Sequence, residues 1–147
     1  MIGWTEQQLM VKGMVRDFVE KEVVPILDDL EYNGLPPYDV LRKLYSTFGM
    51  DEMARANYDK QIAREEAIAR GEEVEESKHD KENNGPVTEE ALDAVAMGIV
   101  PIIEISRHCQ GLITAMGVSV GLTAGAIMSK GTLAQKKRFA GELLTLE

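Results

Sequence analysis

Cysteine and histidine are the residues of this 147-residue chain whose side chains could act as a nucleophile and its base. The chain has one cysteine, Cys109, beside His108, and its second histidine, His79, lies in a charged segment. A cysteine nucleophile needs a base within hydrogen-bond reach, and adjacent helical residues point to different faces. We therefore expect Cys109 to be a buried, unreactive thiol.

Other kinds of catalytic or metal site have no support in the sequence. Two distant histidines and one cysteine do not make a metal site. The sequence contains neither a Ser/His/Asp set nor a glycine loop of the kind that cradles phosphate. No residue of this chain is assigned as catalytic or as a metal ligand.

Two charged groups could take part in binding. Glu104 and Arg107 are three residues apart, which predicts a structural ion pair on one helix. The run Lys136-Lys137-Arg138 stands near a helix start, where a phosphate could bind backbone donors. Because these cations alternate with Phe139 and Leu143, which we expect to be buried, a solvated basic face is the favoured interpretation.

The region from Cys109 to Ser129 is uncharged and rich in small residues. Its interior glycines include Gly117, Gly121 and Gly125, and each one destabilises a helix by roughly 1 kcal/mol relative to alanine. This cost implies close packing or room for a ligand. A self-associating membrane helix has the same pattern. We favour a buried central helix of a soluble bundle, because polar residues dilute the hydrophobicity and the interfacial aromatics are absent.

The remaining pattern predicts an all-α fold. Apolar residues recur at helical spacing, and capping residues precede the helices. The expected elements are a helix from Thr5 with a kink near Pro25, a short helix at 37–48, a helix capped by Thr88, a central helix that starts near Glu104 and ends near Lys130, and a closing helix from Thr132.

One domain is expected over 1–147, with a charged insertion at about 51–86. That insertion holds 11 acidic and 6 basic residues. Its first part, Glu52 to Arg70, is predicted as an exposed helix supported by pairs such as Glu66–Arg70. Its second part has the composition of a solvated linker, and an acidic docking site is the alternative.

The net charge of −9 argues against a nucleic-acid partner. The N-terminus lacks the apolar core of a secretory signal. We expect a cytoplasmic protein without a membrane span.

Two blocks of the sequence closely resemble the N-terminal domain of the acyl-CoA dehydrogenases. The second block contains Glu104-Ile105-Ser106-Arg107, the small-residue helix through Ser119, Gly121 and Gly125, Gly131-Thr132 and Gln135-Lys136-Lys137. The first block contains Thr5-Glu6-Gln7-Gln8, Val15-Arg16-Asp17-Phe18, Glu20-Lys21-Glu22-Val23 and Pro25, followed by Gly34, Pro36, Leu41, Leu44 and Gly49. Together the blocks cover about two thirds of the chain.

The resemblance implies a helical bundle of that domain type, with a long small-residue central helix. The family consists of FAD-dependent enzymes that remove hydrogens from the α and β carbons of acyl-CoA thioesters in fatty-acid β-oxidation. Their catalytic glutamate and most flavin contacts belong to later domains, so this chain alone is expected to be inactive. Ungapped matching places four residues near the acyl pocket: Ile113, Met116, Gly117 and Val120.

The resemblance also implies partners: an acyl-CoA substrate, an electron-transfer flavoprotein or similar acceptor, and further copies in a homo-oligomer. The charged insertion departs from the family, which usually has a short loop there, and leaves the acyl substrate open. The alternatives are a fragment of an acyl-CoA oxidase, and a helical interaction or membrane-dimer protein that uses the Gly117, Gly121 and Gly125 face.

Overall fold

A computed structural model of the chain describes residues 4–72 and 88–146. Every regular element in these ranges is helical, which confirms the all-α class. The α-helices are α1 (Glu6–Phe18), α2 (Leu27–Glu31), α3 (Tyr38–Thr47), α4 (Met50–Ala69), α5 (Glu89–Ser106), α6 (Gln110–Met116), α7 (Gly125–Lys130), α8 (Leu133–Gln135) and α9 (Gly141–Thr145). Three π-helical segments lie at Val19–Val23, Gly117–Ala124 and Lys136–Ala140, and a 3-10 turn lies at Val24–Ile26.

The chain divides into two compact units. The first comprises Met1–Val40 and Pro86–Ala115, and the second comprises Leu41–Gly85 and Met116–Glu147. The single domain expected over 1–147 stays a prediction. His79 and most of the predicted solvated linker lie outside the described residues.

Predicted caps are present at three helix starts. Thr5 and Gln8 exchange two hydrogen bonds, from the Gln8 amide to Thr5 Oγ1 at 3.3 Å and from the Thr5 amide to Gln8 Oε1 at 2.9 Å. Thr132 and Gln135 form the same reciprocal pair. Thr88 Oγ1 accepts from the Ala91 amide at 3.2 Å. These bonds satisfy backbone donors that have no partner inside the helix.

Pro25 changes the type of helix without ending it. The preceding turn is π-helical, and the Val24 amide bonds to the Val19 carbonyl, five residues back. Pro25 then lies in the 3-10 turn Val24–Ile26. Proline has no N–H, and its ring clashes with the carbonyl four residues earlier, so a local change of hydrogen bonding relieves both problems. The kink predicted near Pro25 stays a prediction, and the structure places a π-helical turn and a 3-10 turn there.

The predicted central helix from near Glu104 is wrong at its start. Helix α5 continues through Pro101 to Ser106. The chain then turns, with the amides of His108 and Cys109 both bonded to the Ile105 carbonyl at 3.1 and 3.0 Å. The next helix begins at Gln110, and its end at Lys130 agrees with the prediction. No glycine or proline at 107–109 signals this break.

The first unit is built on the packing of α1 against α5. The buried side chains include Val15, Phe18 and Val19 on one side and Val100 and Ile105 on the other. Gln8 is also buried, and its Nε2 donates to Asp93 Oδ1 at 2.7 Å. A polar bond thus ties the start of α1 to α5.

In the second unit, α4 packs against α9. The predicted helix at 52–70 is confirmed, but one face of it is covered rather than exposed. Ile62 is buried, and the Tyr58 hydroxyl donates to the Lys136 carbonyl at 3.3 Å. Glu66 forms its ion pair with Lys137, and Arg70 bonds to Glu72 at 2.7 Å.

The prediction of a solvated basic face at Lys136-Lys137-Arg138 is wrong for Lys136. Lys136 is buried, and its Nζ donates to both carboxylate oxygens of Glu65 at 2.7 and 2.8 Å. Phe139, expected to be buried, is 47% exposed, with the Arg138 guanidinium 5.0 Å from its ring centre. The segment Lys136–Ala140 is π-helical, and its wider turn places side chains on different faces than an ideal α-helix would. This explains why Lys136 is buried and Phe139 is exposed. Leu143 and Leu144 are half-buried.

We predict that Lys136→Ala destabilises the chain by about 1–2 kcal/mol, because it leaves the Glu65 carboxylate partly buried without its cation. The control Lys60→Ala removes an exposed lysine from α4 and should change the free energy of unfolding by less than about 0.5 kcal/mol. Urea denaturation measures both.

The same pair predicts a dependence on pH. Partial burial raises the pKa of Glu65. Hydrogen bonds from Lys136 and Gln61, together with the Lys136 charge, lower that pKa by more than burial raises it, so the net pKa is lowered. A lowered folded-state pKa stabilises the protein above the ordinary glutamate value of about 4.3, and that stability is lost as pH falls below it. Lys136→Ala should flatten this acid-side loss. An unchanged slope would contradict the assignment.

Candidate functional site: the apolar helix

The apolar helix, Gln110–Lys130, is the candidate site. It has 21 residues, its most apolar window has a mean hydropathy of 1.7, and 11% of that window is buried. The expectation of a buried central helix is therefore wrong for the described part of the chain. By length and composition this helix could also cross a membrane, although core helices of soluble proteins meet the same test.

The exposed side chains of this helix include two large apolar ones, beside polar residues such as Thr114 and Thr123. Leu122 is 69% exposed and Val118 is 48% exposed, whereas Leu112 and Ala124 are buried. Single exposed apolar residues are common on protein surfaces, but a continuous apolar surface indicates a binding site.

The middle of the apolar helix is π-helical, from Gly117 to Ala124. The Thr123 hydroxyl donates to the Val118 carbonyl, five residues back, at 2.9 Å. Segments of π-helix are rare and are frequent at functional sites. Apart from its glycines, which tolerate unusual backbone geometry, no residue pattern predicts this π-helical segment.

The four predicted pocket residues all lie on the apolar helix. Ile113 belongs to the first unit and is half-buried. Met116, Gly117 and Val120 belong to the second unit, with Gly117 exposed and the other two half-buried. Their role at an acyl pocket stays a prediction.

The glycines of the predicted small-residue face have open space around them. A Cβ atom built on Gly117, Gly121 or Gly125 meets nothing within 4 Å. Among the described residues, close helix packing therefore does not account for these glycines. Gly131 differs, because a Cβ there would lie 2.5 Å from the Ile127 carbonyl oxygen.

An open pocket of about 320 Å³ lies at the end of α7 in the second unit. Sequence reasoning missed it because Phe139 was expected in the core. Its lining combines apolar side chains with one amide and one ammonium group: Ala126, Ile127, Lys130, Gly131, Gln135 and Phe139.

The first unit contains a buried carboxylate with three cations around it, and we call this group the Glu104 cluster. Glu104 is 2% exposed, its Oε2 accepts from Arg16 Nε at 3.0 Å, and Arg16 Nη2 forms an ion pair with the same oxygen at 2.9 Å. Lys12 Nζ and Arg107 Nη1 lie 3.7 and 3.8 Å from Oε1. The predicted Glu104–Arg107 pair is present, but Arg16, which sequence reasoning missed, is the closer partner.

Cys109 is buried, as predicted, and its Sγ donates to Glu31 Oε1 at 3.1 Å. Burial, followed by the hydrogen bond to Glu31, raises the pKa of the Cys109 thiol. A raised pKa disfavours the thiolate, which is the reactive form. Across the two described ranges, no group of three or more His, Cys, Asp or Glu side chains could hold a metal ion.

Comparison of the chain with protein-family models, with curated proteins and with solved structures gave no match.

The glycine environments predict opposite effects of adding one methyl group. Gly121→Ala should stabilise the chain by about 0.5–1 kcal/mol, because it improves helix propensity without a clash. The matched variant Gly131→Ala should destabilise it by about 1–3 kcal/mol, because the new Cβ meets the Ile127 carbonyl. Thermal and urea unfolding measure both. A loss of stability in Gly121→Ala would show that this glycine is needed for packing after all.

Proposed function

We propose that this chain is the N-terminal helical domain of an FAD-dependent acyl-CoA dehydrogenase, and that the apolar helix forms part of the acyl pocket. The observation that carries this proposal is the exposure of an uncharged helix with open space above Gly117. The sequence resemblance supplies the reaction.

An acyl chain needs an apolar wall, because it has no group that could compensate a buried charge. The apolar helix supplies such a wall, since no charged residue occurs from Cys109 to Ser129. Each methylene buried against it contributes about 0.8 kcal/mol. The half-buried Met116 and Val120 keep some surface for this contact, and Gly117 leaves room beside them.

The other elements of the proposal come from the resemblance. FAD would be held mostly by domains beyond this chain, and no residue here is assigned to it. Re-oxidation would use an electron-transfer flavoprotein or a similar acceptor, in a cytoplasmic homo-oligomer. An acyl-CoA oxidase has the same architecture and would use oxygen as its acceptor.

The test is an acyl-CoA oxidation assay on the protein expressed at the full extent of its gene. We expect bound flavin, and dye reduction that depends on acyl-CoA. Gly117→Leu should then shorten the preferred acyl chain, with discrimination growing by about 0.8 kcal/mol per excluded methylene. Gly121→Leu, at an equally open glycine outside the predicted pocket set, is the matched control.

Two results would count against the proposal. A colourless protein that oxidises no acyl-CoA would reject the enzyme assignment. An active protein in which Gly117→Leu and Gly121→Leu lower activity equally on every chain length, with a lowered melting temperature, would reject the pocket position alone.

A second candidate is a membrane or helix-dimer protein, which the same 11% burial favours. A 21-residue helix is about 31 Å long at 1.5 Å per residue, close to the thickness of a bilayer core. The full chain should then float with phosphatidylcholine–phosphatidylglycerol vesicles, and Leu122→Lys should abolish flotation. Leu92→Lys, at an exposed leucine of α5, is the control. A chain that stays with the soluble fraction would reject this candidate.

A further inference from the structure

The Glu104 cluster holds more positive charge than its carboxylate neutralises. Three cations, Lys12, Arg16 and Arg107, lie within 4 Å of one carboxylate, Glu104. These four side chains together carry a charge of +2, in a protein whose net charge is −9. A local surplus of this kind attracts anions.

The cations differ in how firmly they are held. Arg16 donates from Nε to Glu104 Oε2 and holds Nη2 2.9 Å from the same oxygen, which fixes its guanidinium. Lys12 and Arg107 stand beyond hydrogen-bond distance from Oε1, and their side chains are 31% and 56% exposed. Their N–H groups can therefore reach a ligand that arrives from solvent.

Glu104 Oε1 lacks a hydrogen-bond partner although it is buried. A buried acceptor without a donor is costly, and water or a ligand usually supplies the missing bond. The ligand that suits this cluster combines negative charge with a donor of its own.

We propose that the Glu104 cluster binds hydrogen phosphate. Its anionic oxygens accept from Lys12 and Arg107, and its remaining P–OH donates to Glu104 Oε1 once these two partly exposed side chains turn toward the ligand. Sulfate has a similar size and charge but no proton at neutral pH. A phosphate monoester is largely unprotonated there, because its second pKa is about 6. Free phosphate is therefore selected over both, and the proposal is independent of the acyl-CoA function.

The experiment titrates the full chain with sodium phosphate at pH 7.5 by isothermal calorimetry and by amide NMR shifts, with ionic strength held constant by sodium chloride. The expected dissociation constant is on the order of millimolar, because the cations are partly exposed. Lys12→Gln and Arg107→Gln should each weaken binding about fivefold. Lys21→Gln removes an equal charge from a lysine that is 82% exposed and lies outside the cluster, and should leave affinity unchanged.

The controls separate a built site from charge attraction. Sodium sulfate and glycerol phosphate should bind about fivefold more weakly than phosphate. Equal binding of phosphate and sulfate, or an equal loss in Lys21→Gln, would overturn the proposal in favour of non-specific screening. Circular dichroism confirms that each variant is folded, and failure of one cluster variant to fold leaves the other as the test.

Discussion

The exposure of apolar side chains of the apolar helix to water is the constraint on which the rest of the structure depends. Burying one leucine of the size of Leu122 contributes about 1.5–3 kcal/mol, and this side chain is 69% exposed. Val118, on the same helix, is 48% exposed, and only 11% of the most apolar window of the helix is buried. An acyl ligand, another protein surface or lipid would each remove it from water. The function of the chain is therefore a question of what covers this helix.

The backbone of the same helix bears on that question. Gly117 and Gly121 weaken helix propensity, yet nothing packs within 4 Å of a Cβ built on either residue. The intervening turns are π-helical, which is a less stable arrangement than the α-helix. The glycines and the π-helical turns both lower helix stability, and neither allows closer packing within the described chain. Their benefit must therefore come from a contact outside it. A binding surface that needs room close to the helix backbone accounts for both.

Local signals could be predicted from the sequence, and long-range ones could not. The capping pairs at Thr5 and Thr132 were predictable because both partners lie within four residues. The burial of Lys136 depends on Glu65, which is 71 positions away, and the exposure of Phe139 depends on a π-turn. The helix break after Ser106 has no glycine or proline to signal it. Of the candidate site, the apolar stretch was predictable, but its exposure was not, because burial depends on packing partners that periodicity does not identify.

Lys136 and Glu104 are both buried charges, but they differ in the number and charge of their partners. This difference distinguishes a structural ion pair from a candidate binding group. Lys136 directs two hydrogen bonds to one carboxylate, Glu65, so that pair is neutral and each carboxylate oxygen has a donor. Glu104 saturates one oxygen with Arg16 and leaves the other between two more distant cations. A neutral pair whose carboxylate oxygens both have donors gains little from a further ion, whereas a surplus of positive charge beside an acceptor without a donor favours binding of one. The chemistry of the Glu104 cluster is thus open to solvent ions, and that of the Lys136 pair is confined to the fold.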